Sequence, residues 1–444
     1  RAHGRAVFAR PREDRVSEAL IVGGLVVDPA QKLEAVRDVL IKDGKVADVA
    51  AGLSKKPALK GIPVTDAKGK WVIPGLVDMH VHLREPGREG DETLQSGTKA
   101  AARGGVTTVL AMANTEPVCD SPAQLSFLRA KAKTDAVVTV LFAGAVTLGQ
   151  KGEQLTEFAK LRAAGAAALS DDGRPVMNAG LLRRALEYAK DLGMLVIDHC
   201  EDLTLSSGAC AHEGSEALRK GLKGTPWAAE TVQVLRDIAL AELTGARLHI
   251  AHVSTAASVD AIRTAKKQGI QITAETTPHH FALTDKNTPG YDGNWKMNPP
   301  LRGNADREAL LRGLADGVID AIATDHAPHG CTAKTMGMEL APFGVIGLET
   351  SLSVALTDLY HKKVLTRRRL VERMSATPAA LLGLKNKGTL APGADADLAV
   401  VDPDGAWTPS APFQSKSRNS PFVGRRLKGR ILTTLCAGRV VHAL

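Results

Sequence analysis

The chain has 444 residues, of which 44% are hydrophobic and 24% charged, and its formal net charge is +9. This composition excludes a largely disordered chain, a collagen-like chain and a disulfide scaffold, and no apolar run approaches the roughly 18–20 residues of a membrane span. Aromatic residues make up only 3% of the chain, so the core must consist mainly of aliphatic side chains.

The start of the chain is basic and has no apolar segment. We expect residues 1–18 to form a flexible basic extension, because a secretory signal needs an apolar centre. The five cysteines are scattered and form no CxxC pair, which favours a reducing, cytoplasmic location. A basic segment after Ala406 carries no recognisable nucleic-acid module, so we expect neither nucleic acid nor a membrane as a partner.

Short strand-like patterns occur near both ends of the remaining chain. They fill residues 19–72 and return at 396–403 and 431–444. Chain termini often lie close together in a folded domain. We therefore expect residues 19–72 and 386–444 to form one small β-sandwich domain.

Eight apolar, strand-like runs occupy the middle of the chain. They lie at 72–82, 105–112, 137–145, 166–171, 194–200, 247–253, 271–276 and 320–325. Amphipathic stretches with helical periodicity separate most of them, for example at 179–192 and 228–244. This alternation predicts that residues 73–385 form a (β/α)8 barrel of the TIM type. A doubly wound open sheet is the alternative, although no GxGxxG follows the first strand.

Histidines and aspartates stand at the carboxyl ends of these strands, where such barrels place their active sites. The first run ends in His80 and His82, and a spacing of two residues turns both imidazoles to one face. Later strand ends carry further N and O donors, namely Asp171, Asp172, His199, His252 and Asp325. Such ligands predict one or two divalent metal ions, with zinc as the first choice. From the residues alone, Asp172 also fits a turn or a helix cap.

Several motifs resemble the cyclic-amidohydrolase group of the amidohydrolase superfamily. GLVDMHVHLREPG at 75–87 is similar to the opening signature of the group, and ATDHAPH at 323–329 to its last-strand signature. Four segments resemble the dihydroorotase family within that group: HLREPG, SDDGRPV at 170–176, KMNPPLR at 296–302 and ELAPFGVIGLET at 339–350. The resemblance extends from about Ala19 to Leu444.

The resemblance also implies which residues hold metal. Many relatives bridge two ions with a carboxylated lysine on strand 4, but this chain has AAALSDD there. It is similar to the longer dihydroorotase type, in which an aspartate replaces that lysine, and the match assigns the bridge to Asp172. His80, His82 and Asp325 would then hold one Zn²⁺, and His199 and His252 the second.

The reaction of the family is the reversible, zinc-dependent cyclisation of N-carbamoyl-L-aspartate to L-dihydroorotate and water, in de novo pyrimidine biosynthesis. The resemblance implies a hydroxide shared by the metal ions as nucleophile, with Asp325 as general base and acid. It also implies substrate contacts from His82, Arg84, Asn114, Asn298, His329, Phe343 and Gly344. Arg84 suits a bidentate carboxylate clamp; a surface salt bridge for Arg84 and a turn role for Asn298 are the structural alternatives.

Two other functions stay open from the sequence. An allantoinase- or hydantoinase-type cyclic amidase would not need the Arg–Asn clamp. A noncatalytic dihydroorotase-like subunit of aspartate transcarbamoylase is disfavoured, because every expected ligand is present. A homodimer and an active complex with aspartate transcarbamoylase both stay open as well. The small, polar segment 330–340 is a candidate mobile lid, and Asp198 has no assigned role.

Overall fold

The structure is a computed structural model that describes residues 18–444. The predicted basic extension lies outside the described residues except for Glu18, which begins the first strand. Five strands begin the described part of the chain: β1 (Glu18–Asp28), β2 (Leu33–Lys42), β3 (Lys45–Ala50), β4 (Val64–Asp66) and β5 (Trp71–Pro74). Strand β1 pairs antiparallel with β2 and parallel with both β4 and β5.

A parallel barrel of eight strands follows. The next strands of the chain are β6 (Leu76–Val81), β7 (Val106–Ala111), β8 (Thr139–Gly144), β9 (Ala168–Leu169), β10 (Val196–Asp198), β11 (Ala211–His212), β12 (Gly224–Thr225), β13 (Leu248–Ile250), β14 (Ile272–Thr276) and β15 (Ala321–Ile322). Strands β11 and β12 form a separate pair, and the other eight are neighbours in chain order. A bridge between Val81 and His326 brings the two edges together. The predicted (β/α)8 barrel is confirmed.

Helices surround the barrel and connect its strands. They are α1 (Leu94–Arg103), α2 (Pro122–Asp135), α3 (Phe158–Ala164), α4 (Ala179–Asp191), α5 (Leu203–Ser206), α6 (Ser215–Lys220), α7 (Ala228–Thr244), α8 (Ala256–Lys267), α9 (Pro278–Ala282), α10 (Asn304–Asp316), α11 (Cys331–Lys334), α12 (Gly337–Leu340), α13 (Ser351–Ala355), α14 (Arg367–Val371) and α15 (Thr377–Leu381). Helices α13 and α14 continue into π-helical turns at Leu356–Tyr360 and Glu372–Ala376. Among residues 18–444, no helix is both long and apolar enough to cross a membrane.

The last three strands return to the first sheet. They are β16 (Leu398–Trp407), β17 (Leu427–Cys436) and β18 (Arg439–Ala443). Strand β16 pairs antiparallel with β5 and β17, which gives the order β18-β17-β16-β5-β1-β2-β3, with β4 added beside β1. The predicted β-domain from both chain ends is confirmed, and its strands are joined in one mixed sheet.

One predicted run, residues 72–82, divides between the two sheets. Strand β5 belongs to the mixed sheet and β6 to the barrel, with Gly75 between them. The Gly75 N–H donates to the carbonyl of Asp397 at 2.8 Å. A Cβ at Gly75 would lie 2.1 Å from Oγ1 of Thr107, so a side chain does not fit where the chain enters the barrel.

The barrel interior is aliphatic below its carboxyl end. Its buried side chains include Met79, Leu110, Leu195 and Ile197 together with several alanines, as the low aromatic content predicts. The polar residues at the strand ends lie above this layer, where the fold leaves room for a site.

Candidate metal centre and substrate pocket

Strand β6 delivers the two histidines of the HxH motif to one centre. His80 is fully buried; its Nδ1 lies 2.7 Å from Oε1 of Glu275 on β14, and its Nε2 lies 3.2 Å from Oδ1 of Asp172. The Nε2 of His82 lies 3.0 Å from Oδ1 of Asp325 and 3.4 Å from Oδ2 of Asp172. Strand alternation turns both rings to the same side.

Asp172, in the turn after β9, faces four imidazoles. Its Oδ1 lies 3.2 Å from Nε2 of His80, 3.5 Å from Nδ1 of His199 and 3.4 Å from Nε2 of His252, and its Oδ2 lies 3.4 Å from Nε2 of His82. Burial by itself would raise the pKa of this carboxyl, but the imidazoles hold that pKa well below its usual range. Asp172 is therefore a carboxylate whose two oxygens face different imidazoles, as a bridging ligand requires.

The neighbouring carboxylates point elsewhere. Asp171 accepts the backbone N–H of Val146 at 2.7 Å and of Thr147 at 3.1 Å, so it holds the loop after β8. Asp198 lies 3.5 Å from NH2 of Arg236 on helix α7, outside the barrel wall. Neither carboxylate faces the imidazole cluster, and burial together with the nearby Asp237 raises the pKa of Asp198 well above its usual range.

His199 and His252 complete the cluster from strands β10 and β13. The Nδ1 of His199 and the Nε2 of His252 are 2.8 Å apart, and Nε2 of His199 lies 2.9 Å from Oε2 of Glu201. Burial would lower the pKa of His199, but the carboxylates of Asp172 and Glu201 raise it to about 10. Glu201 therefore orients this ring so that Nδ1 faces the centre.

Asp325 follows β15 and reaches the same centre. Burial would raise the pKa of Asp325, but the hydrogen bond with His82 and the nearby imidazoles of His80 and His252 hold that pKa below its ordinary value. The group is thus ionised at neutral pH, which is the state of a proton acceptor.

Three residues of the site have a left-handed backbone. The φ angles are +60° at Arg84, +33° at His252 and +47° at Asp325. Positive φ is uncommon outside glycine and costs about 1–3 kcal/mol per residue. Such conformations persist where the surrounding fold holds them, and they cluster at functional sites.

The cluster fits divalent metal ions. Ligand atoms of His80, His82 and Asp325, and likewise of His80, Asp172 and His252, lie within 4.8 Å of one another. Within residues 18–444, Nε2 of His80 and Oδ1 of Asp172 are buried without a hydrogen-bond partner, which is rare for polar atoms in a native fold. Imidazole nitrogens and carboxylate oxygens are the donors that zinc and similar ions accept.

A pocket of about 670 Å³ opens directly above the cluster. It is lined by His82, Arg84, Arg88, Asn114, Asp172, Gly173, His199, His252, Asn298, Asp325, Ala327, His329, Phe343 and Gly344. The structure therefore brings together all the site residues expected from the sequence, with His80 just beneath the pocket floor. The pocket holds both the metal-type ligands and the expected substrate contacts.

Two arginines form the cationic side of this pocket. Arg84 is 7% exposed, and its Nε donates to the carbonyl of Pro328 at 3.1 Å. Burial and the nearby Arg88 lower the pKa of Arg84 to about 10, so its charge is retained at neutral pH. Arg84 is thus a buried pocket cation, and its placement differs from the surface salt bridge considered as an alternative.

His329 is a neutral imidazole between these arginines. Burial and the charges of Arg84, Lys334 and Arg88 lower its pKa to about 2. Its Nε2 lies 2.6 Å from the carbonyl of Phe343, and its Nδ1 lies 3.0 Å from NH2 of Arg88. A neutral ring satisfies both contacts when Nε2 donates and Nδ1 accepts.

The two asparagines contact the histidines of the cluster. Asn114 Oδ1 lies 2.9 Å from Nδ1 of His82, and Asn298 Nδ2 donates to Oε2 of Glu201 at 2.7 Å. Asn298 Nδ2 also lies 3.4 Å from Nε2 of His199. Both amides line the pocket while fixing the rings behind it, so Asn298 does more than form a turn.

Sequence reasoning missed three residues of the site: Arg88, Glu201 and Glu275. Arg88 lies four residues after Arg84, and Glu201 two residues after His199. Both are therefore close in sequence to residues that the motifs identify. Glu275 lies within the seventh barrel strand, and a search of that strand for carboxylates as well as histidines would have found it. Its pKa is about 2, because His249 and His80 outweigh the effect of burial.

Comparisons with known proteins agree on one relationship. A family model described as Dihydro-orotase-like matches residues 69–258, and one described as Amidohydrolase family matches residues 225–442. A curated protein named Dihydroorotase from Pelotomaculum thermopropionicum is 54% identical over 424 residues, which cover 95% of this chain and 98% of that protein. One of the same name from Anaeromyxobacter dehalogenans is 51% identical, over 96% and 98% of the two chains.

Solved structures with the same architecture are less similar in sequence. The L-hydantoinase (dihydropyrimidinase) of Arthrobacter aurescens superposes with a TM-score of 0.87 at 27% identity, over 96% of each chain. The dihydropyrimidinase of Brevibacillus agri NCHU1002 gives a TM-score of 0.83 at 25% identity. The barrel is therefore shared with proteins named hydantoinase or dihydropyrimidinase, while sequence identity is about twice as high to the proteins named Dihydroorotase.

Proposed function

This chain belongs to the dihydroorotase family of the amidohydrolase superfamily, and we propose on that premise that its pocket interconverts N-carbamoyl-L-aspartate with L-dihydroorotate and water. The relationship indicated by the motifs is confirmed, and the chain is a hydrolase that acts on cyclic amides. The observation that carries the proposal is one pocket that combines five metal-type ligands, with His80 beside them, and the buried guanidinium of Arg84.

Divalent metal use agrees with the family and with the cluster of ligands. We propose zinc, two ions per chain, held by His80, His82 and Asp325 and by His199 and His252, with Asp172 shared. Such ions lower the pKa of water and polarise a carbonyl group. The imidazole nitrogens of the cluster and the ionised Asp172 support this assignment, because all of them face one small volume.

Asp325 moves the proton in the proposed reaction. In ring opening, the water oxygen bonds to the amide carbonyl carbon, the carbon–nitrogen bond breaks, and one water proton goes to the ring nitrogen. Asp325 takes that proton and delivers it, and cyclisation reverses the order. Its ionised state and its contact with His82 at 3.0 Å support this role for the carboxylate.

The cationic side of the pocket binds the substrate carboxylate. Arg84 offers NH groups in a planar fork that matches a carboxylate. Asn114, Asn298 and His329 add polar contacts, and Phe343 and Gly344 add the backbone edge that faces the ring; all five line the pocket. An allantoin or hydantoin ring carries no carboxylate and would leave Arg84 without this partner.

The chain acts on a small molecule. We propose a cytoplasmic enzyme, in line with five cysteines that are unpaired and of which four are buried. A homodimer and an association with aspartate transcarbamoylase are compatible with this activity, because the pocket is lined by residues of one chain.

Hydrolysis of L-dihydroorotate, hydantoin and allantoin by the zinc-replete chain tests the proposed function. We expect chelator-sensitive turnover of dihydroorotate that zinc restores. Arg84→Met should raise KM for dihydroorotate about 10- to 100-fold, because a charged hydrogen bond is lost, with metal content unchanged. A preference for hydantoin or allantoin would favour the cyclic-amidase alternative, and no turnover by a folded, metal-loaded chain would favour a noncatalytic subunit.

A further inference from the structure

The segment between His329 and Phe343 buries the side chain of a lysine. It contains helices α11 and α12, and most of its side chains are half-buried or exposed. Lys334 is only 1% exposed, less than its apolar neighbour Met338 at 4%. Lysine is almost never fully buried unless its charge is matched, so this placement requires a specific set of partners.

The ammonium of Lys334 has such partners in three backbone carbonyls. Its Nζ donates to the carbonyls of Lys296 at 3.0 Å, Pro342 at 2.9 Å and Gly344 at 2.8 Å. An ammonium carries three donors and no acceptor. The three carbonyls therefore match the full donor capacity of the ammonium form, while burial and the charge of Lys296 lower the pKa of Lys334 to about 7.

These carbonyls belong to two segments that form one wall of the substrate pocket. Pro342 and Gly344 flank Phe343, and Lys296 precedes the pocket residue Asn298 by two positions. The Gly344 N–H donates to the same Lys296 carbonyl at 2.9 Å. Lys334 thus ties the segment 342–344 to the segment 296–298 from behind, without lining the pocket itself.

Close packing leaves these segments little freedom to compensate. A Cβ at Gly293 would lie 2.3 Å from the carbonyl oxygen of Lys334, and one at Gly344 would lie 2.6 Å from Cβ of Ala327. The ammonium of Lys296 lies 4.4 Å from the ring centre of Phe343 and donates to the carbonyl of Glu339 at 2.9 Å. The wall is therefore a packed unit whose central polar link is the Lys334 ammonium.

We propose that Lys334 is a positioning residue for the substrate ring: its ammonium sets the spacing between the segments 342–344 and 296–298. The proposal rests on the function proposed above, because the ring is the ligand that this wall would contact. Lys334 holds three carbonyls and touches neither the metal ligands nor the substrate carboxylate. Its loss should weaken ring binding much more than it slows the chemical step.

Lys334→Met and Lys334→Gln test this role, with Lys387→Met as the matched control. Methionine keeps an unbranched stem without donors, whereas glutamine keeps two N–H donors. Lys387 is also well buried, with 13% of its side chain exposed, and its Nζ lies 2.5 Å from Oδ2 of Asp397. Neither residue lines the pocket. Dihydroorotate kinetics, metal content and amide hydrogen exchange would be measured for each variant.

We expect Lys334→Met to raise KM at least about tenfold with kcat within about threefold of wild type and metal content unchanged. Lys334→Gln should give a KM between those of the wild type and of Lys334→Met. Amides in 293–298 and 342–346 should exchange at least about fivefold faster. Lys387→Met should change neither KM nor exchange in these segments. If the methionine variant does not fold, the glutamine variant decides by the same criteria.

The proposal is overturned if folded Lys334 variants keep the wild-type KM and exchange rates, if kcat falls as much as KM rises, or if Lys387→Met produces the same changes. A wild-type chain without dihydroorotate turnover would instead refute the proposed function. Exchange in the two segments would still decide whether Lys334 positions this wall.

Discussion

Asp325 combines a left-handed backbone with a carboxylate held in its charged form. Its φ is +47°, and its pKa lies below the ordinary value because of nearby imidazoles that outweigh burial. The fold therefore accepts local strain to direct an ionised oxygen at the cluster. Asparagine has nearly the same shape as aspartate but carries no charge. Its substitution for Asp325 therefore separates a role in proton transfer from a role in packing.

Asp325→Asn should lower kcat about 10²- to 10⁴-fold, the usual contribution of general acid–base catalysis. The amide keeps the shape but cannot accept the water proton, while part of the bound metal should remain. Steady-state dihydroorotate hydrolysis and metal analysis give the two readouts. Asp316→Asn, at a half-exposed aspartate paired with Arg263, is the control. A rate above one tenth of wild type would exclude this role for Asp325.

Glu275 would act on the proposed metal centre through His80. It lies 2.7 Å from Nδ1 of His80, so that Nε2 of the ring is directed at Asp172, and its other oxygen lies 3.3 Å from Nε2 of His249. A carboxylate behind a ligating imidazole fixes the ring tautomer and raises its basicity. Glu275 is therefore expected to determine how well His80 holds an ion.

Glu275→Gln should weaken zinc binding about 10- to 100-fold, the typical effect of losing such a partner. Competition with a chromophoric chelator measures this affinity without any assay of turnover. Glu187→Gln, on the outer face of helix α4 with 48% of the side chain exposed, should leave the affinity unchanged. Equal zinc affinities in the two variants would show that Glu275 does not tune His80.

At the scale of elements, the passage from β5 to β6 determines how the β-domain joins the barrel. The strands lie in different sheets, although they belong to one apolar run of the sequence. Gly75 allows the passage because its backbone packs against Thr107, where no Cβ fits. The position of His80 and His82 depends on this junction, since β6 begins one residue later.

Gly75→Ala should destabilise the fold by about 1–3 kcal/mol, the usual cost of forcing extra volume into a packed site. The new Cβ would meet Oγ1 of Thr107 at 2.1 Å. Urea unfolding followed by circular dichroism measures the shift in midpoint. Gly90→Ala is a suitable control, because a Cβ there meets nothing within 4 Å. Identical midpoints for the two variants would contradict the packing argument.

At the scale of the molecule, the proposed ions connect distant parts of the barrel. The ligands come from strand ends β6, β9, β10, β13 and β15, which are the first, fourth, fifth, sixth and eighth barrel strands. An ion that binds the folded chain alone stabilises it by mass action, by about 2.7 kcal/mol at a hundredfold excess over Kd. The whole barrel should therefore be more stable when the cluster is occupied.

Zinc should raise the Tm of the chelator-treated chain by several degrees, since 1 kcal/mol corresponds to about 2–4 °C in larger domains. Thermal unfolding with and without zinc measures the shift. The double variant His199→Ala with His252→Ala removes two ligands and should lose most of it. The same shift in the double variant would place the stabilising ion somewhere other than this cluster.

The sequence by itself determined the alternation of strands and helices and the residues at the strand ends. Helix α7, expected at 228–244, has those bounds in the structure, and each of the eight expected runs contains a barrel strand. These features are local: apolar periodicity and short motifs lie within a few consecutive residues. The positions of His80, His82, His199, His252 and Asp325 at strand ends were therefore predictable before any contact was known.

Only the tertiary structure decided which of these groups meet and what supports them. Glu275 and His80 are 195 residues apart in sequence, and Lys334 reaches carbonyls up to 38 residues away. The division of one apolar run at Gly75 likewise depends on its contact with Thr107. The physical reason is that barrel closure and backbone contacts between distant segments determine these pairs, and neither leaves a periodic signal in the chain.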